Sequence, residues 1–174
     1  MSRLLAGCCS TGSAVRLSAW PLCRLGPGRR RAHVEWPVMR VSQHQARTII
    51  DGAQRHAQSL GIAVTVAVVD EGGLVKAVDR MDGAPPLSAQ IAEAKGQGAA
   101  VWHRDGHVLA EVAQERAAFV AAVSQMTRLP LIAGAGSILI RDGDENVLGA
   151  VGVSGGTPEQ DRACCDAGIA AMNG

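Results

Sequence analysis

The sequence predicts an α+β domain, a mainly antiparallel sheet with helices packed on it. Three observations carry this. Two pairs of β-rich segments are each joined by short turn-forming stretches, Asp70-Glu71-Gly72-Gly73 and Asp142-Gly143-Asp144-Glu145-Asn146, the pattern of hairpins. The segments around them repeat apolar residues at helical spacing. No internal repeat or second apolar cluster interrupts the 174 residues, a length that suits one domain with its own core.

The first helix is expected from a cap at Ser42 to about Ser59. Ala46, Ile49, Ile50, Ala53, Ala57 and Leu60 fall on one face, and Gly61 supplies a stop. At 100° per residue His44 lies opposite that face and His56 on its flank. Ile62–Val69 (IAVTVAVV) is β-branched and apolar on both faces, which predicts a central strand covered on both sides. Leu74–Met81 is its hairpin partner, ended by the Pro85-Pro86 pair, neither of which donates to a ladder.

Ser88 is a candidate cap for a helix made of Ala and Gly, AQIAEAKGQGAAVW. Gly96 and Gly98 each cost about 1 kcal/mol against Ala, so a close backbone approach is expected in compensation. A further helix is read over Val108–Met126. Ser137–Arg141 and Val147–Val153 form the second strand pair.

The stretch GAVGVSGGTPEQDRACCDAG, residues 149–168, joins the last strand to the last helix. Thr157-Pro158-Glu159-Gln160 is a capping box with proline at the first helical position. A phosphate-binding Walker loop would need a lysine after its glycines, and a dinucleotide fingerprint a different glycine spacing. Gly152-Val153-Ser154-Gly155-Gly156 matches a hydrolase elbow. That fold places its histidine after the serine, whereas the last histidine here is His107. What remains is an anion cradle at Ser154, Gly155, Gly156 and Thr157 on the helix N-terminus, set against a plain tight turn.

Charge and composition narrow the partners. The formal net charge is +1 and aromatics make up 2%, which leaves neither an electrostatic footprint nor stacking platforms for nucleic acid. No apolar run reaches the roughly 20 residues of a membrane span. Residues 1–38 carry six arginines against one glutamate and no hydrophobic period. They read as a disordered leader, a transit-like segment, or the product of a start assigned ahead of Met39, with residues 39–174 forming the domain. A secretory signal would need a longer apolar centre than Leu4–Cys9 offers. With no Cys/His zinc spacing and no need of disulfides, the cytoplasm is the default location. Export directed by residues 1–38 stays an alternative.

The combination AVVDEGGLVKAVDRMDGAPPLSAQIAEAK (67–95) with GAVGVSGGTPEQDRACCDAGIAAM (149–172) resembles the GlcG/HbpS family of haem-binding proteins. The same module forms the C-terminal domain of some corrinoid adenosyltransferases. The resemblance covers about residues 41–172. It implies a five-stranded antiparallel sheet flanked by helices, a homo-oligomer, and a small ligand, haem or another tetrapyrrole, held for storage, sensing or service to an enzyme. The alternative it allows is an enzyme or accessory acting on a small hydroxy acid or aldehyde. No nucleotide is implied.

Haem iron takes an axial His, Cys, Met or Tyr. Without a C-x-x-C-H motif such haem is non-covalent, and His56, His103 and His107 are the candidate axial ligands. Lys95 and Arg80 are candidates to meet a propionate or substrate carboxylate, alongside Ser154–Thr157. Of the adjacent Cys164 and Cys165, one is expected in the core and the other partly exposed. Asp70 and Glu71 beside the Gly-Gly turn are read as solvated carboxylates in preference to an acid–base pair.

Overall fold

The computed structural model describes residues 40–127 and 130–174; the reading of residues 1–38 lies outside the described residues. The elements are α1 (Gln43–Ser59), β1 (Thr65–Asp70), β2 (Val75–Arg80), α2 (Ser88–Trp102), α3 (Gly106–Glu115), α4 (Ala117–Ser124), β3 (Ser137–Arg141), β4 (Val147–Ser154) and α5 (Pro158–Asn173). The sheet has the order β2-β1-β4-β3 and every pair in it is antiparallel. It has four strands among the described residues, not the five implied by the resemblance.

The two inner strands explain why the sequence shows no alternation. Val66, Val68, Val151 and Val153 face a core built with α1 and α5, while Val69 and Ala150 face Ala99 and Ala100 of α2. Both faces of the sheet are therefore covered, and helices lie on each side. β2, at the edge, leaves five of its six residues exposed. No helix among the described residues is long and apolar enough to cross a membrane.

Capping fixes where α1 and α5 begin. Ser42 Oγ accepts from the Gln45 N–H while the Gln45 side chain accepts from Ser42 N–H, and Thr157 and Gln160 repeat the box at α5. Leu60, expected on the buried face of α1, instead forms its C-cap and is exposed. Ser88 does not cap α2; Leu87 occupies that position without a side-chain bond. The Ser88 hydroxyl lies 2.6 Å from Thr65 Oγ1 and 2.6 Å from the Pro85 carbonyl, tying the helix start to β1.

The glycines of α2 serve the sheet. A Cβ at Gly152 would meet the Ala92 carbonyl and come within 2.6 Å of Gly96 N, so α2 lies against β4 at a distance that admits no side chain. The helix expected over 108–126 is two helices. Arg116, at φ −131° and ψ 45°, breaks the run, and its guanidinium sits 4.3 Å over the Phe119 ring. Cys164 and Cys165 are both fully buried, so neither is the partly exposed one expected. Gly168 accounts for the room: a Cβ there would stand 2.7 Å from the Ile49 carbonyl, and α5 presses onto α1.

Candidate functional site

The structure brings most of the cradle residues to one end of the sheet. Ser154 pairs with Thr65, and Thr65 pairs in turn with Arg80, so the three lie in one row across β4, β1 and β2. Behind the turn, Lys95 reaches from α2 and donates to the Val153 carbonyl at 2.9 Å and to Asp161 Oδ2 at 2.7 Å. Both charged side chains are buried.

The donors at this helix N-terminus are turned on the chain itself. Gly156 N–H donates to Asp161 Oδ1, Thr157 N–H to Gln160 Oε1, and Gln160 N–H to Thr157 Oγ1. Glu159 adds a carboxylate whose pKa is lowered by its own backbone N–H and by the Thr157 hydroxyl, as expected of an acid in the first turn. Arg80 donates to the Ala84 carbonyl at 2.7 Å. The place an anion would take is filled from within by Asp161, a residue the sequence reading did not single out. Its signal was available: an acid four residues past the Thr157 cap, and Lys95 as the one basic residue of an Ala- and Gly-rich helix.

The three histidines part company. His107 Nδ1 lies 2.9 Å from Arg162 Nη1. A guanidinium only donates, so this nitrogen accepts, and in the neutral ring the proton sits on Nε2. A ring so held presents N–H where a metal would need a lone pair, the reverse of the arrangement ligating histidines adopt. His56 occupies the last turn of α1, half-buried. His103 is the C-cap of α2, exposed, in the left-handed region at φ 52°, a conformation uncommon outside glycine and asparagine.

His103 opens onto a recess of about 470 Å³ lined also by Glu71, Arg141, Glu145, Asn146 and Val147. Arg141 ends β3; its Nη1 donates to the Glu145 carbonyl at 3.1 Å and its Nε is 3.7 Å from Glu145 Oε2, which leaves donors of the fork free. Arg141 and Glu145 also line a second recess of about 530 Å³ whose apolar wall is Leu148, Ile169 and Met172. Arg141 is thus common to both sides of the β3–β4 hairpin, and nothing in the sequence singled it out. A third hollow, between Trp102, Leu109 and Val120, measures about 10 Å³, room for a single water at most.

The turn that carries Glu71 is fixed. Asp70 Oδ1 accepts from Gly72 N–H and Leu74 N–H, and Gly73 lies on Gln97 and Val101 of α2, where a Cβ would approach both to 3.0 Å. Glu71 Oε1 pairs with Arg40 Nε at 2.6 Å. Its other oxygen, Oε2, is buried and has no hydrogen-bond partner among the described residues.

Thiolate chemistry is disfavoured. Burial, then the neighbouring Asp161, pushes the Cys164 thiol up to about 11, and Cys165 is raised well above the ordinary value for the same two leading reasons. Among the described residues no group of three or more His, Cys, Asp or Glu is placed to hold a metal ion.

A family model described as haem degrading protein HbpS-like matches residues 41–170. Protein GlcG of Escherichia coli (strain K12) is 36% identical over 115 residues, 66% of this chain and 81% of its own length. Corrinoid adenosyltransferase PduO of Salmonella typhimurium (strain LT2) is 32% identical over 133 residues, 76% of this chain, but the match spans 39% of that relative. Among solved structures, a PduOC:heme complex superposes with a TM-score of 0.69 at 29% identity, covering 77% of this chain and 96% of that one. A double mutant of Streptomyces reticuli HbpS gives 0.66 at 25% identity, covering 83% and 95%.

Proposed function

Because the chain belongs to the HbpS-like family, we propose that it binds haem non-covalently at the β3–β4 hairpin, in a storage, sensing or accessory role. The observation that carries this reading is one recess holding both a free imidazole and a guanidinium with open donors, His103 and Arg141. An imidazole nitrogen is an axial ligand for haem iron, and a propionate matches the planar fork of arginine.

In this reading Gly156, Thr157, Lys95 and Arg80 are framework: their donors meet Asp161, Gln160 and backbone carbonyls. The homo-oligomer implied by the resemblance is part of the same reading. Its support is α4 (AAFVAAVS), wholly apolar up to its final serine and without a buried residue.

Titration of the full chain with haemin tests the proposal. A Soret shift that saturates at a fixed stoichiometry is expected, reduced by His103→Ala and by Arg141→Ala and unchanged by His107→Ala. Unaltered binding in His103→Ala would move the axial ligand elsewhere, His56 and Met172 being the next variants to measure.

A small hydroxy acid or aldehyde as ligand is the second reading, favoured by the polarity of the His103 recess, whose one apolar lining residue is Val147. Thermal stabilisation by small hydroxycarboxylates, absent in Arg141→Ala, with no response to haemin, would select it.

A further inference from the structure

We infer that Asp82 is a site of self-modification: in the folded chain the Asp82–Gly83 link rearranges through a cyclic imide to isoaspartate, ahead of every other Asp-Gly pair in the sequence. The partner this implies is an enzyme that methylates isoaspartyl carboxylates. The inference does not depend on which ligand the domain takes.

The sequence holds four Asp-Gly pairs, at 51–52, 82–83, 105–106 and 142–143. Glycine after aspartate favours ring closure, because no Cβ screens its nitrogen or restricts its rotation. The structure separates the four. Gly52 lies inside α1, its N–H on the helical ladder. A Cβ there would stand 2.6 Å from Ala171 Cβ, so this backbone has no room to turn. Asp105 Oδ1 accepts from Leu139 N–H at 2.9 Å, and Gly106 opens α3 packed against the Gly134 carbonyl. Asp142 is held by three donors, the Asp144 and Asn146 N–H groups on Oδ1 and the Asn146 amide on Oδ2. Its pKa is lowered, first by the Asn146 side chain, and an ionised carboxylate is a poor electrophile.

Asp82 is the exception. It and Gly83 are both exposed, and neither the Asp82 carboxyl nor the Gly83 N–H has a hydrogen bond among the described residues. Ala84 N–H donates to the Met81 carbonyl at 3.1 Å and Gly83 has a φ of +86°. A type II turn has this form, and its closing bond leaves the N–H of the third residue free. The nearest atom to a Cβ at Gly83 would be Ala63 Cβ, at 3.8 Å, so the peptide can rotate without moving a neighbour.

The Gly83 nitrogen attacks Cγ of the protonated Asp82 carboxyl. An N–C bond forms, the C–O bond breaks, and the nitrogen's proton leaves with the hydroxyl as water. Water then adds to one carbonyl of the five-membered ring. Opening at the α-carbonyl leaves the chain running through the β-carboxyl, with a free α-carboxylate and no change in mass. The added methylene falls just ahead of Ala84, which is buried and whose carbonyl accepts from Arg80, so the change loosens the link from β2 to α2.

Ageing of the full chain at neutral pH, native and in guanidinium chloride, tests this. Trypsin places each pair in its own peptide, residues 48–55, 81–95, 105–116 and 142–162. In the native sample the 81–95 peptide is expected to split into two forms of equal mass, the new one accepting a methyl group enzymatically from S-adenosylmethionine. Its share is expected to exceed that of the other three peptides together, whereas in denaturant all four split. Asp82→Glu, which would need a larger ring, is expected to abolish the product, and Asp82→Asn to speed it with the mass gain of deamidation. An unsplit 81–95 peptide in the aged native sample overturns the inference. A native pattern equal to that in denaturant also overturns it, because sequence alone would then set the rates.

Discussion

Lys95 Nζ and Asp161 Oδ2 stand 2.7 Å apart, joining α2 to α5 across the end of β4, with both side chains buried. The lysine also caps the Val153 carbonyl and the aspartate the Gly156 N–H, so one ion pair closes four polar groups at the strand–turn–helix junction. Removing one partner leaves an uncompensated buried charge. Lys95→Met or Asp161→Ala is expected to lower unfolding stability by about 3–5 kcal/mol, and a double apolar replacement to recover much of that loss. Urea denaturation of the single and double variants measures it; additive losses would show that the pair acts as two independent contacts.

Gly152 sets the distance between α2 and β4. Alanine there directs a methyl group at the Ala92 carbonyl and to within 2.6 Å of Gly96 N, both backbone atoms that yield only if the helix moves. We expect Gly152→Ala to destabilise by at least the roughly 1–3 kcal/mol typical of overpacking. Gly61→Ala makes a contrast: no atom lies within 4 Å of its Cβ position, though its φ of +68° adds a small backbone cost. Midpoints of thermal unfolding for the two would be indistinguishable if α2 were free to shift.

The buried cysteines predict an alkaline limit. Burial pushes the Cys164 thiol up to about 11 in the folded chain against an ordinary 9.0, and Cys165 is likewise raised well above that ordinary value. A raised pKa on folding means stability that is complete below pH 9.0 and lost as pH climbs through about 11. Thiol reagents at pH 8 are expected to leave both groups unmodified in the native protein and to label them in urea. Rapid native labelling would place at least one sulfur at the surface.

The parts of the fold legible in the sequence are those set by neighbours in the chain. The boxes at Ser42 and Thr157 are local hydrogen-bond geometry, and both helices begin where they direct. The strand pairs follow from β-branched runs and turn residues. The break at Arg116 was not legible because Val108–Met126 is apolar around much of its circumference, so no phase change marks the kink. Ser88 has the chemistry of a cap, yet its hydroxyl is taken by Thr65, 23 residues earlier. The candidate site was the least legible part. Glu71, His103 and Arg141 come from a turn, a helix end and a strand end, and no period or spacing connects them.

β4 works as a ruler for the whole assembly. Val151 and Val153 point to one helical layer and Ala150 to the other, with Gly152 beneath Gly96. A slip of a single residue would exchange these sets, driving valines into a gap that admits only hydrogen. Misthreaded chains would then hold the two layers apart, so a native seam between α2 and the sheet is itself the signature of correct strand alignment.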